Sequence, residues 1–455
     1  MELLKVEKDK WLRKKMKREL KKKDKGIVEL MMIMRHFFKD LSNWIDDMVD
    51  PRHPSYIVYT QTDLIYMGIL KNICGVKTMR TMEDKFNKEE CINTLRILSG
   101  DDKLDEMPHS DTLNYYLTKL SPKCLADLRK KMIKRLLSMK SFYSNRLLGK
   151  YWRVIIDGTG LFYFKEKHCN NCLVQTIKID DTTEVKAYYH KVLEAKLVLG
   201  EKVVISIDTE FIENENENVS KQDCEITAAK RLLKRLAKDY PRLPICIQGD
   251  NLYSAEPIME MCREKGWKYI FTHKGSRQQL LEEGYQWIQE GEGVNVKKNI
   301  GEYVNHVEEV AGKREVANIF KTKENVIDKK TGKEKEVTFS WITDIELTNK
   351  NLEEMITAAR GRWKIENEGF NNQKNGIYDI EHLNSKDTNA MKNHYLLTQV
   401  ADIIMQIYLA WNPIRKEIKE SIKNTSSWLL ECFRRQIVTN EDVLYIQRYT
   451  TIYLE

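Results

Sequence analysis

Apolar residues recur every three or four positions along residues 26–150, and this periodicity predicts a run of helices. The helices are read at Val28–Trp44, Asp63–Cys74, Lys88–Leu98, Ser110–Leu120 and Cys124–Ser141. Asp50-Pro51 and Met107-Pro108 punctuate the run, and Ser110 or Asp111 would cap the helix that follows Pro108. Two successive helices across Asp101–Leu120 could form a helix-turn-helix, but three packed helices without DNA give the same pattern. At Tyr151 the period changes. Trp152–Ile156, Tyr188–Leu199, Val203–Ile212, Pro244–Gln248 and Tyr269–Thr272 read as strands, with amphipathic helices at Ser220–Tyr240 and Ala255–Lys265. This is a mixed α/β layout. Residues 275–345 hold seven of the twenty glycines, separated by short alternating runs such as Glu302–Val310 and Val337–Leu347, which read as inserted β-hairpins. From Asn351 the pattern is helical again almost to the end.

The 455 residues, 42% hydrophobic and 32% charged, describe a globular chain of about three domains. No apolar run reaches the roughly 18 residues of a membrane span, and Tyr395–Trp411 is broken by Gln399, Asp402 and Gln406. No apolar block follows the start, so no secretory signal is expected. Charge is unevenly placed. Residues 1–25 carry twelve Lys/Arg against five Asp/Glu, which is most of the formal net charge of +8. Such an arm could neutralise phosphates on nucleic acid; equally, it could be a solvated helix with Leu12, Met16 and Leu20 touching a neighbour. The nine cysteines read as reduced thiols. His168-Cys169-Asn-Asn-Cys172 contains a CxxC, but a structural zinc site wants a second ligand pair and none lies nearby. His190 or His273 could complete one in three dimensions.

Ionised carboxylates are seldom buried without a cation, so acids at the ends of apolar strands or on the apolar face of a helix are informative. Asp157 follows Val154-Ile-Ile156, and Asp250 follows Ile245-Cys-Ile-Gln-Gly249. Strand ends in α/β sheets are where sites are built, although an Asp there can simply begin a turn. In Asn351–Lys374 the apolar stripe is Leu352, Ile356, Ala359, Trp363 and Phe370, and Glu366 fills its last gap. Glu368 should point to solvent. Arg362, one turn before Glu366, could pair with it or with a phosphate. Asp208 competes as a site acid, but it alternates with Ser206 and Glu210 as a solvated strand face would.

Asp157-Gly-Thr, Gly249-Asp250-Asn and Arg362-Trp-Lys-Ile-Glu366-Asn-Glu-Gly-Phe370 together resemble the bacterial insertion-sequence transposases of the DDE type. The resemblance covers about residues 110–410, and Arg-Trp-x-Ile-Glu is its most specific part. It implies an RNase H-like mixed sheet with flanking helices, interrupted by a β-rich insertion, plus an all-α N-terminal region and a helical C-terminal tail. The domains expected are a basic arm (1–25), a helical DNA-binding region (26–150), the core's first part (151–274), the insertion (275–345), the third-acid helix with its successor (346–410), and the tail (411–455). The acids lie 93 and 116 residues apart, and removing the 71-residue insertion leaves 45 in the second gap. The family's third-acid signature is Tyr, Arg, Glu and Lys, with two, three and six residues between them. Here Arg362 and Glu366 match, Ala359 stands at the Tyr position, and Gln373 at the Lys position with Lys374 beside it.

The resemblance further implies metal-dependent cleavage at transposon ends and strand transfer into target DNA. Asp157, Asp250 and Glu366 would be catalytic residues and ligands of two Mg²⁺ or Mn²⁺ ions, with Arg362 and Lys374 contacting DNA phosphates. The partners implied are double-stranded DNA, as terminal repeats and target, and a second copy of the chain assembled on it, with no membrane. The location expected is cytoplasmic and nucleoid-associated. Two other readings share the residues: an RNase H-like nuclease or resolvase without strand transfer, and a non-catalytic, domesticated DNA-binding protein. All three acids are present, as the enzymatic readings require.

Overall fold

A computed structural model describes residues 25–452 except 179–183, 217, 276–277, 291–292, 309–316, 328–333 and 412–420. Nearly all of the basic arm therefore lies outside the described residues. The chain divides into a helical unit, formed by the residues before 140 and those from 370 on, and an α/β unit that takes in nearly all of 140–369.

The helical unit begins with α1 (Gly26–Phe37), α2 (Leu41–Asp46), α3 (Gln61–Ile73), α4 (Met79–Phe86), α5 (Glu89–Ser99), α6 (Ser110–Lys119) and α7 (Pro122–Ser138). The single helix expected over Val28–Trp44 breaks at Phe38–Asp40 into α1 and α2, and α4, only two turns long, was not anticipated. Helix α3 starts with a reciprocal cap. The Asp63 N–H donates to Thr60 Oγ1 at 3.1 Å, and the Thr60 N–H donates to Asp63 Oδ2 at 2.8 Å. All thirteen of its residues are buried, so it is the centre of this unit.

The α/β unit carries β1 (Trp152–Phe164), β2 (Leu173–Lys178), β3 (Glu184–Val198), β4 (Val204–Ile212), α8 (Glu225–Asp239), β5 (Ile245–Gly249), α9 (Glu256–Glu264) and β6 (Lys268–Thr272). Strands β4, β3 and β1 are antiparallel neighbours, and β5 and β6 follow beside β1 in parallel. This is an RNase H-like mixed sheet, with α8 packed on β4 and β3. The glycine-rich stretch then supplies α10 (Gln279–Glu290), β7 (Asn295–Lys297), β8 (Gly301–Val307), β9 (Ala317–Ile327) and β10 (Glu334–Thr343). It is not a set of free hairpins. Strand β10 pairs antiparallel with β6, and β9, β8 and β7 extend the same sheet to ten strands. Helix α10 escaped the sequence pattern because Gly284 interrupts it. Gly284 is required there, since a Cβ would stand 2.1 Å from the Glu308 carbonyl oxygen.

Helix α11 (Leu352–Arg360) lies on this sheet, packed on β6, β8 and β9. Leu352, Met355, Ala358 and Ala359 bury themselves with Cys246, Ile270, Tyr303, Phe320 and Trp341. Each large side chain so buried stabilises the docking by about 1.5–3 kcal/mol. The chain then tightens to a 3₁₀ turn at Gly361–Trp363 and widens to a π-type winding over Ile365–Gly376. Three helices follow: α12 (Thr388–Trp411), α13 (Ile422–Arg435) and α14 (Asn440–Ile452). Helix α12 packs against α1, α3, α6 and α7, so residues from 370 on group with the N-terminal helices, and no boundary falls at 410. Among the described residues, no helix is long and apolar enough to cross a membrane.

Candidate active site

Strand β1 runs beside β5 only from Trp152 to Ile155, and thereafter it continues with β3 alone. Asp157 therefore does not end its strand, as expected, but sits in mid-strand just past the fork between β1 and β5. Asp250 follows the last residue of β5. The fork places two acids where the parallel pairing of β1 with β5 ends. Each has a local hydrogen bond that fixes its carboxylate. The Gly158 N–H donates to Asp157 Oδ1 at 2.8 Å, and the Leu252 N–H donates to Asp250 Oδ1 at 2.7 Å.

The third acid arrives from the segment that follows α11. Gln248 Nε2 donates to the Ala358 carbonyl at 2.9 Å and ties β5 to α11. Two residues past the end of α11, Arg362 reaches back. Its Nη1 lies 3.0 Å from Glu366 Oε1 and 3.8 Å from Asp157 Oδ2. One guanidinium thus links the first and third acids. The three carboxylates are not gathered around a common point, since their oxygens are not all within 4.8 Å of one another. Burial pushes Asp157 up to about 7; Arg362 and the Gly158 N–H act against the rise, while Asp250 and Glu225 add to it.

The change of winding corrects the single stripe expected on the third-acid helix. Trp363, expected on the apolar face, is 47% exposed and lies beside the Arg362 guanidinium, 5.1 Å from it. Glu368, expected in solvent, is half-buried. A 3₁₀ turn uses fewer residues than an α-turn and a π-type turn more, so an α-helical phase carried forward from Leu352 does not hold beyond Arg360. The two residues at the family's lysine position also separate. Gln373 is fully buried in the helical unit, where its Nε2 donates to Gln399 Oε1 at 3.0 Å and to Asp402 Oδ2 at 2.8 Å. Lys374, in the same unit, pairs with Glu381 at 2.6 Å.

Several residues around the acids gave no signal in the sequence. Glu225, at the start of α8, takes a hydrogen bond from Tyr253 Oη at 2.7 Å and an ion pair from Lys191. A Cβ on Gly158 would stand 2.5 Å from Glu225 Oε2, and one on Gly249 would stand 2.7 Å from the Tyr253 ring. The glycines beside Asp157 and Asp250 make room for this pair, and they are the only sequence trace of it. Glu194 lies directly across from Asp157 in the β1–β3 ladder and is fully buried. It accepts from Ser206 Oγ at 2.6 Å and from Thr209, with Lys196 Nζ at 3.8 Å. Asp208 is also buried rather than solvated, and Arg235 Nε donates to it at 2.7 Å.

The mixed sheet and its flanking helices make an RNase H-like core. Residues 149–401, more than half of the chain, match the transposase DDE domain family. The chain belongs to that family and is a transposase. Enzymes of this family generally use divalent metal ions. No curated protein matches the chain. Among solved structures, the cryo-EM structure of a piggyBac transposase synaptic complex with hairpin DNA is similar at a TM-score of 0.43 and 11% identity, over 93% of this chain and 84% of that one. The family assignment rests on the domain match and not on this likeness.

Proposed function

We propose that this transposase cleaves DNA at transposon ends and transfers the freed strands into target DNA, using Asp157, Asp250 and Glu366. The observation that carries the reading is the convergence of the β1–β5 fork and Arg362, which links Asp157 to Glu366 beside Asp250. The donors fit Mg²⁺ or Mn²⁺: all are hard oxygens, and Asp157 is held up near 7 with one guanidinium close to it, a local shortage of positive charge. Asp157 would be shared by two ions, with Asp250 and Glu366 each holding one. When bound, the ions would activate the attacking oxygen and stabilise the leaving one in an in-line displacement at phosphorus.

The chain's own groups do the rest. The Gly158 and Leu252 N–H groups hold two carboxylates in fixed orientation before any ligand arrives. Arg362 exchanges its carboxylate partners for the scissile phosphate. Lys374 gives up Glu381 to contact the flanking strand. The helical region and the basic arm grip the terminal repeats, and two copies of the chain assemble on DNA.

Cleavage of a duplex carrying the element's terminal repeat tests this. Cutting should need Mg²⁺ or Mn²⁺, and Glu366→Gln should bind the duplex but cut it at least a hundredfold more slowly; several kcal/mol of transition-state stabilisation are at stake, at 1.36 kcal/mol per tenfold. Full cutting in excess EDTA, or by Glu366→Gln at matched DNA occupancy, would refute the assignment.

A further inference from the structure

Away from the acids, the loop between β1 and β2 brings a different set of ligands together. Among the described residues, Cys169, Cys172 and His190 form the one group of three whose metal-ligating atoms all lie within 4.8 Å of one another. Cys172 and His190 are buried, and Cys169 is half-buried. We propose that these three residues bind a zinc ion, a site separate from the carboxylates and independent of the reading above.

The spacing fits an ion. In a tetrahedral site, Zn–S near 2.3 Å and Zn–N near 2.0–2.1 Å put the sulfur and nitrogen roughly 3.6 Å apart. Cys172 Sγ and His190 Nε2 are 3.5 Å apart. The ligands are soft sulfur and imidazole, the pair that selects zinc over the hard ions of the carboxylate site. None of the nine cysteines is in a disulfide, so none competes for Cys169 and Cys172. The half-buried Cys169 leaves solvent access to a fourth position. Binding converts two thiols to thiolates and releases their protons.

The surroundings are built to present these atoms. Asn214 Nδ2 donates to the Cys172 carbonyl at 2.9 Å, and Asn171 Nδ2 donates to the Asn214 carbonyl at 2.8 Å. This clamp fixes the second half of the CxxC. The His190 ring stands edge-on to Phe162 and Phe164 of β1, at 6.4 and 6.2 Å between centroids. His190 lies in β3, four residues before Glu194, which faces Asp157. The ion would therefore staple the β1–β2 loop to the strand that supports the first acid.

The test is metal content and cobalt spectroscopy on the full chain. Purified protein should hold about one zinc per chain, and a mercurial that caps thiols should release it. Replacing zinc with Co²⁺ should give thiolate charge-transfer and tetrahedral d–d bands. Cys172→Ser and His190→Ala should lose most of the metal and those bands, whereas Cys224→Ser, at an exposed thiol outside the site, should keep both. Folded wild-type chain with neither zinc nor the cobalt bands would overturn the proposal, as would full metal retention in Cys172→Ser. The mercurial release needs no variant, so a variant that fails to fold leaves the proposal open to refutation.

Discussion

Two clusters of acids and arginines lie within the α/β unit, and their charges are balanced differently. Between β4 and α8, Asp208, Glu210 and Asp223 meet Arg231 and Arg235. Arg235 Nε and Nη1 reach Asp208 and Glu210 at 2.7 and 2.6 Å, and Arg231 reaches Glu210 and Asp223 at 2.5 and 2.6 Å. Every carboxylate there has a guanidinium in direct contact. At the β1–β5 fork, Asp157, Asp250 and Glu366 have Arg362 among them, and its approach to Asp157 is 3.8 Å. The first cluster is electrostatically satisfied and acts as a clasp. The second is short of positive charge, which is the state that suits a site waiting for a cation.

The sharpest way to break this contrast is to neutralise one acid in each cluster. Asp157→Asn should abolish cleavage, by a factor of a hundred or more, while the chain stays folded. Asp208→Asn should leave cleavage within a few-fold and lower stability by about 1–3 kcal/mol, since Arg235 keeps Glu210 and remains partly solvated. Cleavage rates and denaturant midpoints measured on both variants decide it; equal loss of activity would erase the distinction.

A second, smaller effect concerns pH without metal. Asp157 is raised from an ordinary 3.8 to about 7, so between those values the folded chain keeps a proton that the unfolded chain has lost. Its contribution to stability should therefore fall as pH rises from about 4 to about 7 and level off above. Denaturant unfolding in EDTA should show this decline in wild type relative to Asp157→Asn. Excess Mg²⁺ should flatten the difference, because the ion takes the place of the proton. A difference that grows above pH 7 would contradict the assignment.

The smallest effect is expected from Gly158→Ala. The added methyl meets the Glu225 carboxylate, the far end of a side chain that can move only by releasing Tyr253 or Lys191. About 1 kcal/mol of stability and a several-fold loss of cleavage rate should follow. Unchanged activity would mean that the Glu225–Tyr253 pair plays no part in holding the fork.

Much of this fork could be read in the sequence because apolar runs ending in an acid are rare and physically costly. Val154-Ile-Ile156 and Ile245-Cys-Ile247 marked β1 and β5, and Asp157 and Asp250 followed from them. The contrast between Asp157 and Asp208 could not be read there. Both follow an apolar run, and only the helix across the sheet decides which acid meets an arginine of its own. Glu366 was found from an α-helical phase that the chain abandons after Arg360. The Arg362–Glu366 ion pair runs from the tight turn to the start of the wide one. Glu225, Glu194 and Tyr253 were invisible for a simpler reason: their partners are distant in sequence.

The pairing of β10 with β6 has a consequence for anyone who shortens this protein. Without β10, the outer edge of β6 would present Ile270, Phe271 and Thr272 with unpaired backbone groups, a template for sticking to another chain. The same strand returns the chain to α11, only nine residues after Thr343. Strand β9 covers β10 in the same way, and β8 and β9 supply Tyr303 and Phe320 to the core under α11, so the insertion cannot be trimmed strand by strand. A truncation that removes β8–β10 would be lost to precipitate before its chemistry could be assayed.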